Sequence, residues 1–521
     1  MKKVIIILSL LLSVPFAALR AQIGNDLIRE ELSHDEEYEE YDEYDEYDEE
    51  YSPLIHASYE GNEEEVKRLL DAGEYLSIDA VILASEYGYT NIVEMLLRRN
   101  ITSRDITEIP PYVVALSIAS EYGRKDMVEM LINNTSFLTD EDDYSDYDYA
   151  IKEYFSDALK NASQYGNKDI VELLLNAGAD PDIQFFDDDK TALMMASENG
   201  HEAVVELLLN AGADPNIITP NNGKHALAIA YEHEHNEILE LLLNAGADPN
   251  SEAFIYANPT ILMHAAWEGD NDVVKMFLNA GADPDIQNDG KYETALMNAA
   301  EKGHKDIVEL LLNAGANPDI PTFRTGETAL IYAASYGHND IAELLLKAKA
   351  NPNIHTSDDY TALKRATAGE YKDVVETLLI YGADPNVKTG NRETPLMIAT
   401  KNGRKDVVDM LLKAKADPNI KAFCENNSTA LIRAAQYGDK DVVEMLLKAG
   451  ANPNTKAFGD GNTALKSASE NGHKDIVKLL KKAGRKAKKR NVAPENEDEE
   501  EYQEYKMKQL IEYIKNIEFS V

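Results

Sequence analysis

The stretch "TALMMASENGHEAVVELLLNAGADPNI", which begins at Thr191, returns again and again along the chain. Clear copies start at Thr191, His225, Thr260, Thr294, Thr328, Thr361, Thr394, Thr429 and Thr463, with shifts of 33 to 35 residues. Weaker copies start upstream at Ser52, Asp79, Val114 and Asp157, at spacings of 27, 35 and 43 residues, which makes thirteen units in all. A chain of 521 residues exceeds what one hydrophobic core serves. Self-similarity at this period means growth by stacking instead.

Each part of the unit has a local reason. Thr191 is an N-cap, its hydroxyl accepting from an otherwise orphan backbone N–H. "ALMMAS" is a short helix with small residues on one side. Gly200 closes it in a left-handed conformation. "EAVVELLLN" is a second helix, apolar nearly all round, as suits burial between layers, and Gly212 ends it. "ADPN" turns the chain outward, with Pro215 preventing helix continuation. "IITPNNGK" reads as an extended hairpin with a turn. Helices this short are marginal alone, so only neighbours can hide the Leu-Leu-Leu faces. The expected fold is an all-α repeat solenoid.

The unit resembles the ankyrin repeat: two antiparallel helices, then a β-hairpin loop, with "G-A-D-x-N" in the turn. The resemblance covers roughly residues 52–484. The family's Thr-Pro-Leu-His opening is here mostly Thr-Ala-Leu-Met; Pro stands in that place only at Pro53 and Pro395, and no repeat has His fourth. The resemblance therefore does not extend to the inter-repeat bonds which that histidine makes in the family. Lys349 and Lys415 replace the Gly that closes the second helix, at a cost of about 1 kcal/mol each if the left-handed geometry is kept.

"YEHEHNEI", Tyr231 to Ile238, mixes imidazoles and carboxylates in the manner of a zinc or iron site. Alignment to the other repeats gives a plainer reading. His235 fills the slot of His201, His304, His338 and His473, as the second letter of a Gly-His pair whose Gly is here Glu234. No metal and no cofactor is expected.

By the resemblance, the hairpin tips and the two residues before the glycine of each first helix line the concave face. The helix-end pairs run Tyr59-Glu60, Glu86-Tyr87, Glu121-Tyr122, Gln164-Tyr165, Glu198-Asn199, Glu232-His233, Trp267-Glu268, Glu301-Lys302, Ser335-Tyr336 and onward to Gln436-Tyr437 and Glu470-Asn471. Seven of the thirteen pairs hold Tyr or Trp and eight hold Glu. Aromatics on solvated helical positions suit interface anchors, although such rings also pack against a neighbouring repeat. The candidate partner-binding residues are Tyr59, Tyr87, Tyr122, Tyr165, Glu198, Glu232, His233, Trp267, Glu268, Tyr336 and Tyr437. Phe254, Tyr256, Phe323, Phe423 and Phe458 add aromatics in the hairpins.

The flanks carry charge. Lys2 and Lys3 precede "VIIILSLLLSVPFAAL", which reads as an export signal over residues 1–21, too short for a comfortable membrane span. Residues 22–51 read as a linker, and Asp35 to Tyr51 contain twelve acids and five Tyr with no apolar face, the composition of a disordered segment. A second acidic Tyr-rich stretch, near 137–150, reads as a loop on the array. After the array comes a charged linker, 485–501. Residues 502–521 then read as a C-terminal helix with Met507, Leu510, Ile511, Ile514 and Ile517 on one face, either a cap on the last repeat or a docking helix.

The 94 acidic against 51 basic residues give a formal charge of −43. Phosphate would be repelled along most of this surface, so nucleic acid is excluded as the main partner. A single cysteine, Cys424, excludes intrachain disulfides. No nucleophile elbow, HExxH motif or P-loop is present. The expectation is a non-enzymatic, monomeric scaffold in the periplasm, cell envelope or outside the cell, binding a protein of basic or mixed charge. The alternatives are an envelope-associated acidic spacer and an effector exported to a host cell.

Overall fold

The computed structural model describes residues 52–98, 110–134, 147–184, 189–221, 223–252, 259–387, 392–423, 428–457, 461–488 and 507. The export signal, the 22–51 linker, residues 137–146 of the acidic loop, the C-terminal helix apart from Met507, and Cys424 lie outside them, as do Phe254, Tyr256 and Phe458. The chain forms two compact units, Met1–Ile255 and Tyr256–Val521.

Among the described residues there are 26 helices, taken in pairs, and no strands. In the first unit the pairs are α1 (Pro53–Tyr59) and α2 (Glu63–Ala72), α3 (Ile78–Tyr87) and α4 (Thr90–Leu97), α5 (Pro111–Glu121) and α6 (Lys125–Asn133). They continue with α7 (Tyr147–Gln164) and α8 (Lys168–Asn176), α9 (Ala192–Glu198) and α10 (Glu202–Asn210), α11 (Ala226–Glu232) and α12 (Asn236–Asn244). The second unit holds α13 (Ile261–Glu268) and α14 (Asn271–Asn279), α15 (Ala295–Lys302) and α16 (Lys305–Asn313), α17 (Ala329–Tyr336) and α18 (Asn339–Lys347), α19 (Ala362–Ala368) and α20 (Lys372–Ile380). It ends with α21 (Pro395–Lys401) and α22 (Lys405–Lys413), α23 (Ala430–Tyr437) and α24 (Lys440–Lys448), α25 (Ala464–Glu470) and α26 (Lys474–Lys488). Within each unit first helices pack on first helices and second helices on second helices, in two layers.

The caps explain the regularity. The threonine hydroxyl accepts from the backbone N–H three residues on, as at Thr191 to Met194 (3.3 Å), Thr294 to Met297 (3.3 Å) and Thr429 to Ile432 (3.4 Å). Between the layers lie the Ala-Leu-Met and Ile-Val-Leu sets, for example Leu296, Met297, Ala299 and Ala300 with Ile307, Val308 and Leu311, all buried. Leu310 and Leu312 of α16 are only half-buried and Glu309 is exposed, so the second helices are less enclosed than their sequence implies.

His225 stands in the threonine slot and caps in a different way. Its Nδ1 accepts from Ala228 N–H at 3.1 Å, so that nitrogen must be unprotonated. Burial pushes the imidazole below its ordinary range, partly offset by the Glu252 backbone and by Asp248. A lowered folded-state value contributes stability above the unfolded value, and that stability fades as pH falls. The substitution His225→Thr, which restores the cap of the other repeats, removes this dependence. In urea melts the variant is expected to gain on the wild type by about 1 kcal/mol between pH 7.5 and pH 5.5; a constant difference over that range would contradict it.

The structure corrects several sequence expectations. In the early repeats the start points shift, because no threonine marks them. α3 begins at Ile78 after a Ser77 cap and α5 begins with Pro111, while Asp157 sits inside the 18-residue α7. α7 also takes in residues 147–150 of the stretch read as an acidic loop. The array does not stop at Gly484, since α26 continues to Lys488, and its lysines suit the helix C-terminus. The hairpins are tight turns closed by one or two backbone bonds, such as Thr219 N–H to Lys224 O at 2.8 Å and Gly223 N–H to Thr219 O at 2.8 Å. Arms this short form no ladder; an isolated bridge joins His355 with Thr361, and Glu252 and Thr260 are bridge residues as well. Lys349 and Lys415 keep the left-handed geometry, at φ 69° and 66°.

Candidate functional site: an aromatic stripe pinned by a side-chain ladder

The histidines of the Gly-His slot tie five of the repeats to the one before. Nε2 of His201, His235, His304, His338 and His473 meets the carbonyl oxygen of Gln164, Glu198, Trp267, Glu301 and Gln436, at 2.9, 3.2, 3.0, 3.1 and 3.0 Å. A carbonyl only accepts, so Nε2 carries the hydrogen. Each of those carbonyls belongs to the first residue of a helix-end pair. The early repeats make the same tie with other side chains. Arg124 Nε donates to Glu86 O at 2.9 Å, and Asn167 Nδ2 donates to Glu121 O at 2.8 Å. This side-chain ladder anchors the backbone beneath the stripe. This places His235 of "YEHEHNEI" as a structural residue, and no group of three or more His, Cys, Asp or Glu that could hold a metal occurs among the described residues.

A second ladder runs through the turns. Asn216, Asn386 and Asn419 each accept, at 2.7 to 2.8 Å, from the backbone N–H of the corresponding turn one repeat on. The "ADPN" motif therefore sets spacing between repeats as well as ending a helix.

Tyr59, Tyr87, Tyr122 and Tyr165 fall on successive first-helix ends, and Tyr336 and Tyr437 on the equivalent ends of later repeats. Tyr59, Tyr87, Tyr122, Tyr165, Tyr336 and Tyr437 keep 42 to 52% of their surface exposed. Tyr59 and Tyr87 meet edge to face at 5.3 Å, and Tyr87 lies parallel to Tyr89 at 6.1 Å. Tyr122 donates to Glu86 at 3.4 Å and Tyr336 to Glu301 at 3.0 Å. The Tyr59 contact raises Tyr87 above the usual phenol range, and the Glu301 hydrogen bond does the same for Tyr336, so both hydroxyls stay protonated. Trp267 is half-buried, with the Lys302 ammonium 3.6 Å from its ring centroid. Glu198 and Glu232 are half-buried and paired to Lys190 and Lys224, which stand just before Thr191 and His225. His233 is exposed and stacks on His235 at 6.2 Å, and Glu268 is exposed. Of the hairpin aromatics, Phe323 is 76% exposed beside Tyr292, whereas Phe423 is buried and therefore does not add to the surface.

Sequence reasoning missed a polar step in the second unit. The fifth residue of the motif reaches the acid just before the preceding repeat's threonine. Tyr332 donates to Glu293 at 2.8 Å, Arg365 lies 3.5 Å from Glu327, and Arg433 donates to Glu393 at 2.7 Å. Burial and the Glu293 hydrogen bond push Tyr332 far above the usual phenol range. The available signal was the recurrence of Glu before Thr at Glu293, Glu327 and Glu393.

Two layers of paired helices, repeated with ladders between them, define a helical-repeat solenoid. The family model for ankyrin repeats, in three copies, matches residues 159–253, 262–358, 363–457 and 423–491. Those matches span more than half of the chain, which belongs to the ankyrin-repeat family. No curated protein matches it.

Proposed function

We propose that the protein is an exported, non-enzymatic scaffold that binds a partner protein along the helix-end stripe, on the face which the ankyrin resemblance assigns to the groove. Ankyrin repeats are generally protein–protein interaction modules. The observation that carries the reading is the set of six tyrosines at equivalent helix ends, each 42 to 52% exposed. Stacking does not require rings there, and Tyr supplies contact area with few rotors to freeze. The ladder grips the residue before four of them, Tyr87, Tyr122, Tyr165 and Tyr437, which lowers the ordering cost of binding. The acidic composition favours a partner of basic or mixed charge.

Replacing Tyr87, Tyr122 and Tyr165 together by Ala tests this. Affinity for the partner co-purified from the native source is expected to fall by roughly tenfold or more. Each exchange is expected to lower stability by no more than about 1 kcal/mol. Calorimetry of binding and of unfolding on one preparation reads both. Unchanged affinity with a large loss of stability would make the rings packing residues.

A further inference from the structure

We propose that Asp182 is an acid-operated clasp: when protonated, its carboxyl donates to the Gly212 carbonyl and so closes a second bond between two repeats, one that asparagine makes at three other steps.

Asp182 lies in the turn after α8, and its Oδ1 accepts from the Asp214 N–H of the next turn at 2.9 Å. Asn216, Asn386 and Asn419 hold the same place in their own turns and accept the same bond. Each of them also donates through Nδ2, to the carbonyl of Gly246, Lys415 or Gly450, at 3.1, 3.0 and 3.3 Å. Those carbonyls belong to the left-handed residue that closes the second helix of the next repeat. For Asp182 that residue is Gly212, at φ 96°. An ionised carboxyl only accepts, so its second oxygen would meet a carbonyl oxygen there. A protonated one offers an O–H beside an acceptor, which is the pattern of the amide.

The surroundings favour the proton. Asp182 is half-buried. Asp180, two residues before it, accepts from the Asp182 N–H at 3.0 Å, and Asp214 faces it from the turn after α10. Burial pushes the Asp182 carboxyl above its ordinary range, and the charges of Asp180 and Asp214 push the same way, against the Asp214 N–H, which favours the anion. A value raised by folding contributes stability that is present in acid and lost as pH rises through it. The step from the α7–α8 repeat to the α9–α10 repeat therefore tightens in acid, whereas the asparagine steps do not titrate.

Hydrogen exchange of the full chain, read by mass spectrometry on peptides from α8 and α9, tests this. Asp182→Asn supplies the donor at every pH, in a place where three other turns already carry asparagine. Variant and wild type are compared at the same pH, so intrinsic exchange rates cancel. Protection in Asp182→Asn is expected to exceed that of wild type by roughly fivefold at pH 7.5, the worth of one hydrogen bond. By about pH 5 the ratio is expected to fall to roughly half of that or less, as wild type gains its own donor. Asp182→Ala removes the charge without restoring a donor, and should be less protected than Asp182→Asn at both pH values. A ratio of Asp182→Asn to wild type that does not change with pH, or equal protection in the Ala and Asn variants, would overturn the proposal.

Discussion

Replacing Glu393 by Ala is expected to lower the stability of the second unit by about 3 to 5 kcal/mol, the largest effect of any single charge in the array. Its partner Arg433 lies on α23 with its side chain 3% exposed, and the Glu393 side chain is 14% exposed. The pair meets at 2.7 Å, and Arg433 Nε also donates to Ser428 Oγ at 3.2 Å. Removing the carboxylate takes away the charge that meets a buried guanidinium between two repeats, and breaking a buried pair costs far more than an exposed pair returns. The companion variant separates charge from packing. The equivalent position holds Met195 in one repeat and Ile398 in another, so Glu393→Ala combined with Arg433→Met is expected to recover to within about 1 kcal/mol of wild type. Urea unfolding of the full chain followed by circular dichroism measures both. A single variant that costs under about 1 kcal/mol would show the pair to be solvated.

The second large effect separates two kinds of glycine. Gly303 closes α15 at φ 84°, and a Cβ there would lie 2.8 Å from Cε1 of His338. Gly303→Ala therefore meets backbone strain and also displaces the imidazole that holds Glu301 O at 3.1 Å. The sum is about 2 to 3 kcal/mol. Gly315 closes α16 at φ 95°, but a Cβ there meets nothing within 4 Å. Gly315→Ala should cost only the strain, about 1 to 2 kcal/mol. The chain already tolerates that substitution in kind, at Lys349 and Lys415. Equal losses for the two alanines would mean that the histidine ladder contributes nothing to coupling between repeats.

How much of this was legible in the sequence follows from where each signal sits. From Thr191 onward a cap, a leucine run and a closing glycine lie within one unit, so helix pairs could be read directly. Before Thr191 the caps are Ser52, Ser77 and Pro110, none of them threonine, and the start points after Ser52 slipped. The stripe was picked out by the ankyrin resemblance, together with the reading that residues before the closing glycine carry no stacking duty. What it rests on did not follow. The bond from His338 to Glu301 spans 37 residues and that from Arg433 to Glu393 spans 40. Such pairs show only when two repeats are set side by side, and the substitutes Arg124 and Asn167 share no chemistry with histidine beyond an N–H. Burial of Phe423 was equally invisible, because a turn residue can face either way.

The most direct test of a binding stripe held by coupled repeats is residue-specific photo-crosslinking in the full chain, in the presence of the native partner. A photoreactive phenylalanine analogue is placed at Tyr87, Tyr165 or Tyr336, and separately at the exposed second-helix residues Glu206 and Glu309. Adducts to one partner protein from the tyrosine positions, with none from Glu206 or Glu309, are the predicted result. Adducts from the second-helix positions alone would contradict it.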